Sequence, residues 1–204
     1  MKLYQSVGPN PRIVKMFIAE KGLDIERADV DLMGGENRQQ AHLARNPSGQ
    51  TPTLELDNGA YLAEVTAICE YLEEIHPSPP LIGTTPEERA ETRMWTRRVD
   101  LRICEPMANG FRFGEGLQLF KDRLLCVPEA SPGLKAMAID GEKWLDGLLK
   151  GPWICGDRFT LADILLFGVI DFGGQVGQPL DPSLKALTSW FERVKARPSA
   201  AASA

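Results

Sequence analysis

Residues 51–64 read TPTLELDNGAYLAE, and this stretch indicates a β-hairpin. Apolar and polar residues alternate on both sides of Asp57-Asn58-Gly59, and an Asn-Gly pair between alternating apolar runs is the strongest local hairpin signal. A helical pattern follows at VTAICEYLEEIH (65–76). Upstream, two strand-like segments enclose the helical PRIVKMFIAEKG (11–22), and a polar helical segment comes next. The order β-α-β-α-β-β-α predicts a small α/β layer fold.

The proline-rich stretch HPSPPLIGTTP (76–86) interrupts this pattern. Beyond it strand signals are scarce and helical spacing dominates, which indicates an all-helical bundle. We therefore expect an α/β domain at 1–77, a linker at 78–86 and an all-helical domain at 87–204.

Two helix starts in the second half carry capping boxes. Thr85-Pro86-Glu87-Glu88 has Thr at the N-cap, Pro at the first helical position and Glu at the third. Phe159-Thr160-Leu161-Ala162-Asp163 predicts a second box, with the side chain of Asp163 reaching back to the amide of Thr160. The apolar ILLFGVI (164–170) that follows is typical of a helix buried within a bundle.

Composition excludes several classes of protein. A net charge of −5 over 204 residues, with mixed signs, gives no footprint for nucleic acid or an anionic membrane. The four cysteines are widely spaced without a CxxC pair, which argues against a metal site and indicates free thiols in a reducing compartment. With no signal-peptide or membrane-spanning run, the sequence predicts a cytoplasmic protein.

Three further stretches carry a family resemblance: NPSGQTPTL (46–54), LAEVTAI (62–68) and GDRFTLADI (156–164). Together they resemble the cytosolic glutathione transferases over the whole chain. The resemblance implies a thioredoxin-like first domain that binds glutathione as co-substrate, and a helical second domain that supplies most of the electrophile pocket. It also implies a cytoplasmic homodimer with a role in detoxification.

The resemblance suggests residues that hold glutathione. It implies a cis Thr51–Pro52 bond that turns the Thr51 backbone outward, where an extended tripeptide can pair with it as an added strand. The start of the helix at Glu64-Val65 offers amides to the γ-glutamyl carboxylate. The family usually has Ser where this chain has Val65, so one hydroxyl donor is missing and weaker binding is expected. The expected binding residues are Arg38, Gln50, Thr51, Pro52, Glu64 and Val65.

The turn SVGPNPR (6–12) lacks a protein nucleophile, so the thiol of glutathione must supply it. Asn10 resembles the Asn of bacterial and fungal members and is the first candidate thiol donor, with Ser6 the second. Asn10 followed by Pro11 is also a favoured N-cap pair, so the side-chain oxygen can accept an amide of its own helix. This cap would leave the NH₂ group free, so both roles can coexist. His42 and His76 are interpreted as surface or linker histidines.

Three functions are consistent with these residues. The first is conjugation of the glutathione thiolate to a small electrophile. The second is glutathione-dependent disulfide reduction or thiolysis. This chemistry also needs an activated thiolate, but it does not require a protein cysteine. The third is a non-catalytic role, as a glutathione-binding or scaffold protein.

Overall fold

The computed structural model describes all 204 residues. They form two compact units, residues 1–82 with 198–204, and residues 83–197. The first unit contains four strands, β1 Lys2–Gln5, β2 Glu26–Asp29, β3 Thr53–Glu55 and β4 Tyr61–Ala63. They form one sheet of order β2-β1-β3-β4, in which β1 and β2 are parallel and the other pairs antiparallel.

Three helices are interleaved with these strands: α1 Pro9–Glu20, α2 Gln40–Leu43 and α3 Val65–Ile75, with a 3₁₀ turn at Glu36–Arg38. The predicted order β-α-β-α-β-β-α is confirmed. Paired Leu3 and Leu54 in the central strands are fully buried, as are Phe17 of α1 and Ile68 of α3. These apolar contacts form the core of the thioredoxin-like unit.

The hairpin that the Asn-Gly pair predicts is present. Thr53 pairs with Ala63 and Glu55 with Tyr61. In the turn, Asn58 Oδ1 accepts the amide of Ala60 at 3.0 Å, and Gly59 has φ of 81°, a conformation that glycine adopts without steric cost.

A buried ion pair anchors the chain that leaves α3. Lys21 Nζ contacts the Glu73 carboxylate, and both side chains are at most 1% exposed. Lys21 also donates to the carbonyls of His76 and Pro79, each at 2.7 Å. Glu73 accepts the amides of Leu81, at 3.0 Å, and Ile82, at 2.9 Å. This segment of the expected linker is therefore held as part of the first unit.

The second unit is helical, as predicted. Its α-helices are α4 Pro86–Val99, α5 Glu105–Phe113, α6 Leu117–Phe120, α7 Ser131–Asp146, α8 Leu161–Gln175 and α9 Lys185–Lys195. Thr85 Oγ1 accepts the amide of Glu88 at 3.2 Å, which confirms the first capping box. Asp163 accepts the amide of Thr160 at 2.9 Å, the reach-back bond of the second.

Residues 198–204 do not belong with the helical domain, where the sequence placed them. The short helix α10 (Pro198–Ala202) clusters with the first unit, because Ser199 bonds the carboxylate of Glu20 and Lys15 Nζ donates to the carbonyl of Ala204 at 3.3 Å. The boundary between the units, at 82/83, lies inside the expected 78–86 linker. None of the helices has the length and apolar character that crossing a membrane requires.

Candidate functional site

A cleft lies on the first unit, at the meeting of three segments that are remote in sequence. The start of α1, the loop before β3 and the start of α3 each contribute to it. Its lining residues are Asn10, Asn46, Gln50, Thr51, Pro52, Glu64 and Val65. Six of the eight residues expected from the sequence are thus brought together, and Asn46 is an additional one.

The Thr51–Pro52 peptide bond is cis, as expected. Both residues are buried, and Pro52 directly precedes β3, the position where a missing N–H costs the sheet no ladder bond. The loop before β3 therefore enters the sheet with the Thr51 backbone beside the cleft.

Buried side chains hold the loop that leads to this bond. The carbonyl of Gln50 accepts from His42 Nε2 at 2.9 Å and from Asn46 Nδ2 at 3.0 Å. The carbonyl of Gly49 accepts from Asn37 Nδ2 at 2.6 Å. The interpretation of His42 as a surface residue is wrong, since the side chain is 1% exposed and faces the loop. The sequence did not predict the burial of His42, because the residues around position 42 are polar and show no periodic apolar pattern.

Glu64 has an unusual backbone conformation. It lies directly before α3 with φ of 69°, the left-handed region that residues other than glycine rarely occupy. Such a conformation costs on the order of 1–3 kcal/mol and is often found at functional sites. It places the first amides of α3 at the cleft, where a helix N-terminus favours an anion. Val65 contributes no hydroxyl there.

Asn10 is not the N-cap of α1. The helix begins at Pro9, the N-cap is Gly8 with φ of 119°, and no side chain caps the first turn. The alternative in which Asn10 accepts an amide of its own helix is therefore wrong. Two prolines two residues apart produce two plausible starts, and the earlier one is used. The Asn10 amide, half-buried in the second position of the helix, lines the cleft instead.

Ser6 and Arg38 lie outside the set that lines the cleft. Ser6 Oγ is 2.5 Å from Thr51 Oγ1 and donates to the carbonyl of Val7 at 3.2 Å, so it links the end of β1 to the cis-proline loop. Arg38 is exposed, and its Nη1 is 3.4 Å from the carbonyl of Ser48. Both therefore contact the loop that forms the cleft.

None of the four cysteines lines the cleft. Burial raises the pKa of the Cys69, Cys104 and Cys155 thiols, which disfavours the thiolate. Cys126 is a free thiol in the second unit. No group of three or more His, Cys, Asp or Glu side chains suited to a metal ion is present. The cleft instead offers polar donors, backbone amides and a helix N-terminus, a set suited to an anionic, peptide-like ligand.

Comparisons with known proteins agree with this geometry. The sequence models described as Glutathione S-transferase, N-terminal domain and C-terminal domain match residues 7–75 and 126–198. Glutathione S-transferase 2 of Saccharomyces cerevisiae is 31% identical over 200 residues, 94% of this chain and 84% of the yeast protein. The chain belongs to the glutathione transferase family.

Another curated protein and two solved structures are also similar to this chain. A maleylacetoacetate isomerase of Pseudomonas aeruginosa is 46% identical to this glutathione transferase over 171 residues, 82% of this chain and 78% of the isomerase. The crystal structure of Gtt2 from Saccharomyces cerevisiae matches with a TM-score of 0.93 at 31% identity and covers 100% of both chains. The crystal structure of a glutathione transferase homologue from sulfitobacter, with bound glutathione, matches with a TM-score of 0.77 at 25% identity. The match covers 98% of this chain and 96% of that one. The protein is an enzyme of this family.

Proposed function

We propose that this enzyme conjugates the thiolate of glutathione to a small electrophile. The observation that carries the proposal is the cleft, in which the cis-proline loop, the start of α3 and the Asn10 side chain converge. Glutathione is the co-substrate and supplies the nucleophile that the turn at 6–12 lacks. Residues 1–82 with 198–204 form the glutathione-binding unit, and residues 83–197 form the helical unit.

The tripeptide binds through groups that suit its two ends and its middle. The backbone of Thr51, next to cis Pro52, pairs with the cysteinyl residue in the manner of an added strand. The first amides of α3 bind the γ-glutamyl carboxylate, and Glu64 balances the ammonium of the same residue. Gln50 and Arg38 extend toward the glycine carboxylate, for which a guanidinium is well suited.

Asn10 is the proposed thiol donor. Its amide NH₂ donates to the thiolate, as in bacterial-type members with Asn at this position, and so favours the charged form of a thiol whose ordinary pKa is about 8.5. Asn10 is preferred to Ser6 because Asn10 lines the cleft, whereas Ser6 Oγ contacts Thr51. The rate gain comes from a larger thiolate fraction and from orientation of the bound sulfur.

Two measurements test the proposal. Isothermal titration calorimetry should show glutathione binding at or below millimolar concentration, and chlorodinitrobenzene should be conjugated with loss of free glutathione. Turnover of bis-hydroxyethyl disulfide in place of chlorodinitrobenzene would favour the disulfide reductase or thiol lyase. Absence of glutathione binding would leave the scaffold role.

Isomerisation is a second candidate function, favoured by the 46% identity to the maleylacetoacetate isomerase. The same thiolate can add to an electron-poor double bond, and expulsion of the thiolate after rotation returns glutathione unchanged. Glutathione is therefore consumed in conjugation and conserved in isomerisation. Following total free thiol during turnover of a cis-alkenyl dicarbonyl compound separates the two.

The proposed setting is a cytoplasmic homodimer that acts in detoxification. Four free cysteines are consistent with a reducing compartment. Membership of the glutathione transferase family supports the proposal of a homodimer. Light scattering coupled to size-exclusion chromatography should give about twice the 22.5 kDa chain mass.

A further inference from the structure

Two buried side-chain N–H groups donate to the carbonyl of Gln50, and the Thr53 hydroxyl lies at the longer distance of 3.5 Å. His42 Nε2 lies 2.9 Å from the carbonyl oxygen and Asn46 Nδ2 3.0 Å. His42 is 1% exposed and Asn46 4% exposed, so water does not replace these bonds. A carbonyl oxygen has two lone pairs, and both are directed into the protein interior here.

The direction of this carbonyl determines the direction of the next amide. The Gln50–Thr51 bond is trans, since the cis bonds are at Thr51–Pro52 and Ser78–Pro79. In a planar trans peptide the C=O and N–H groups point in opposite directions. Because the Gln50 carbonyl points inward to His42 and Asn46, the Thr51 N–H points away from them, on the side of the cleft that Gln50 and Thr51 line.

The hydrogen bond also determines the tautomer of His42. The Gln50 carbonyl can only accept, so Nε2 carries the proton of the bond. The buried Nδ1 has no hydrogen-bond partner. His42 thus directs one donor, Nε2–H, at one backbone carbonyl.

We propose that His42 is a positioning residue, which with Asn46 orients the Gln50–Thr51 peptide so that the Thr51 N–H is presented to the cysteinyl residue of glutathione. This role rests on the proposed function, because it concerns how the cleft holds that ligand. Asn46 shares its amide with Thr53 Oγ1 at 3.3 Å, whereas the bond to Gln50 is the one hydrogen bond His42 makes through its ring.

The test compares three substitutions at position 42. His42→Leu removes the donor, His42→Gln keeps an NH₂ at the position of Nε2, and His42→Asn holds its NH₂ one bond too short. His42→Leu and His42→Asn should raise the KM and the dissociation constant for glutathione about three- to tenfold, the effect of one hydrogen bond. The kcat at saturating glutathione should stay near wild type, and His42→Gln should bind within about twofold of wild type. His76→Gln, at the other histidine of the chain, is the matched control and should leave the affinity unchanged.

Two results would overturn the role of His42. One is wild-type affinity in His42→Leu, and the other is a His42→Gln variant as weak as His42→Leu, which would show that ring volume rather than the donor matters. If His42→Leu fails to fold, the contrast between His42→Gln and His42→Asn decides in the same way.

A third readout separates failure of this role from failure of the proposed function. Amide hydrogen exchange of peptides covering residues 48–53, measured without ligand, should be faster in His42→Leu and His42→Asn than in wild type and His42→Gln. Absence of glutathione binding by the wild type would overturn the proposed function. Unchanged exchange across all the variants would overturn the orienting role, whatever the wild type binds.

Discussion

Asn10 lines the cleft with an amide that its own helix does not use. Replacing it by Ala should raise the pKa of bound glutathione toward the free value of about 8.5, because the thiolate loses a donor. A hydrogen bond to a charged group contributes ~1.5–3 kcal/mol, so kcat/KM near pH 6.5 should fall about ten- to hundredfold. The deficit should shrink above pH 9, where the thiol ionises without help. Ultraviolet titration of the bound thiolate and a pH–rate profile measure both effects.

Asn10→Asp is the matched control for this prediction. It keeps the shape of Asn and replaces the NH₂ donor by a carboxylate oxygen, which repels a thiolate. It should be at least as impaired as Asn10→Ala. Ser6→Ala tests the second candidate donor, and a shift of the thiol pKa in Ser6→Ala alone would transfer the role to Ser6.

Val65 offers no hydroxyl to the proposed contact with the γ-glutamyl carboxylate. Val and Thr have nearly the same shape, so Val65→Thr adds a hydroxyl at the start of α3 with little change in packing. One new hydrogen bond is worth ~0.5–1.5 kcal/mol, and glutathione affinity should rise about two- to tenfold. Calorimetry with Val65→Ala as the control measures the gain. Equal affinity in Val65→Thr and wild type would show that the γ-glutamyl carboxylate does not reach this position.

Among the elements, the anchored segment after α3 depends on the Lys21–Glu73 pair. Lys21→Met removes the cation and leaves a buried carboxylate, and breaking such a pair typically costs ~3–5 kcal/mol. Urea unfolding followed by far-ultraviolet circular dichroism should show this loss. Glu74→Gln, a substitution at the adjacent exposed carboxylate, should change stability by less than about 0.5 kcal/mol. Similar losses in both variants would contradict a specific role for the buried pair.

Local chemistry made the hairpin and both capping boxes predictable, because each depends on residues a few positions apart. The start of α1 was less determined, since Pro9 and Pro11 both suit the first turn of a helix. The left-handed Glu64 could not be foreseen, because no glycine signals it.

The helix from Glu87 onward also departs from a regular pattern in one place. Residues 100–104 form a π-helical turn between α4 and α5. Pro106 has no N–H to offer the carbonyl of Arg102, and its ring crowds that carbonyl, so the wider turn accommodates both. Gly141 of α7 packs there, where an added Cβ would lie 2.4 Å from the Arg102 oxygen. The sequence contained Pro106, but the close approach of Gly141 to Arg102 is a tertiary contact that a local pattern does not show.

At the scale of the whole molecule, the features that the sequence pattern did not predict depend on contacts between residues far apart in the chain. The cleft joins residues 10, 46–52 and 64–65, and a family resemblance was needed to expect them together. His42 was missed because its burial depends on the return of the chain at Gln50. Residues 198–204 were misassigned because their partners, Lys15 and Glu20, lie near the other end of the chain.

All four tryptophans lie in residues 83–197, so tryptophan fluorescence follows the unfolding of the second unit. Within that unit Glu142 of α7 is a buried carboxyl. Burial, with a smaller contribution from the negative charge of Asp181, raises the pKa of Glu142 to about 7. The native state therefore binds more protons than the unfolded state between roughly pH 4 and 7, and stability from this group is lost as pH rises through that range.

Glu142→Gln should remove this pH dependence. Since the amide stays neutral, the variant should match wild type near pH 4 and exceed it at pH 8 by on the order of 2–3 kcal/mol in the free energy of unfolding. Urea titrations followed by tryptophan fluorescence at the two pH values measure the difference. Asp181→Asn is the control for the charge contribution. Because burial is the larger cause of the raised pKa of Glu142, most of the loss of stability between pH 4 and pH 8 should persist in this variant. A difference between Glu142→Gln and wild type that is equal at pH 4 and pH 8 would mean that folding does not shift the pKa of Glu142.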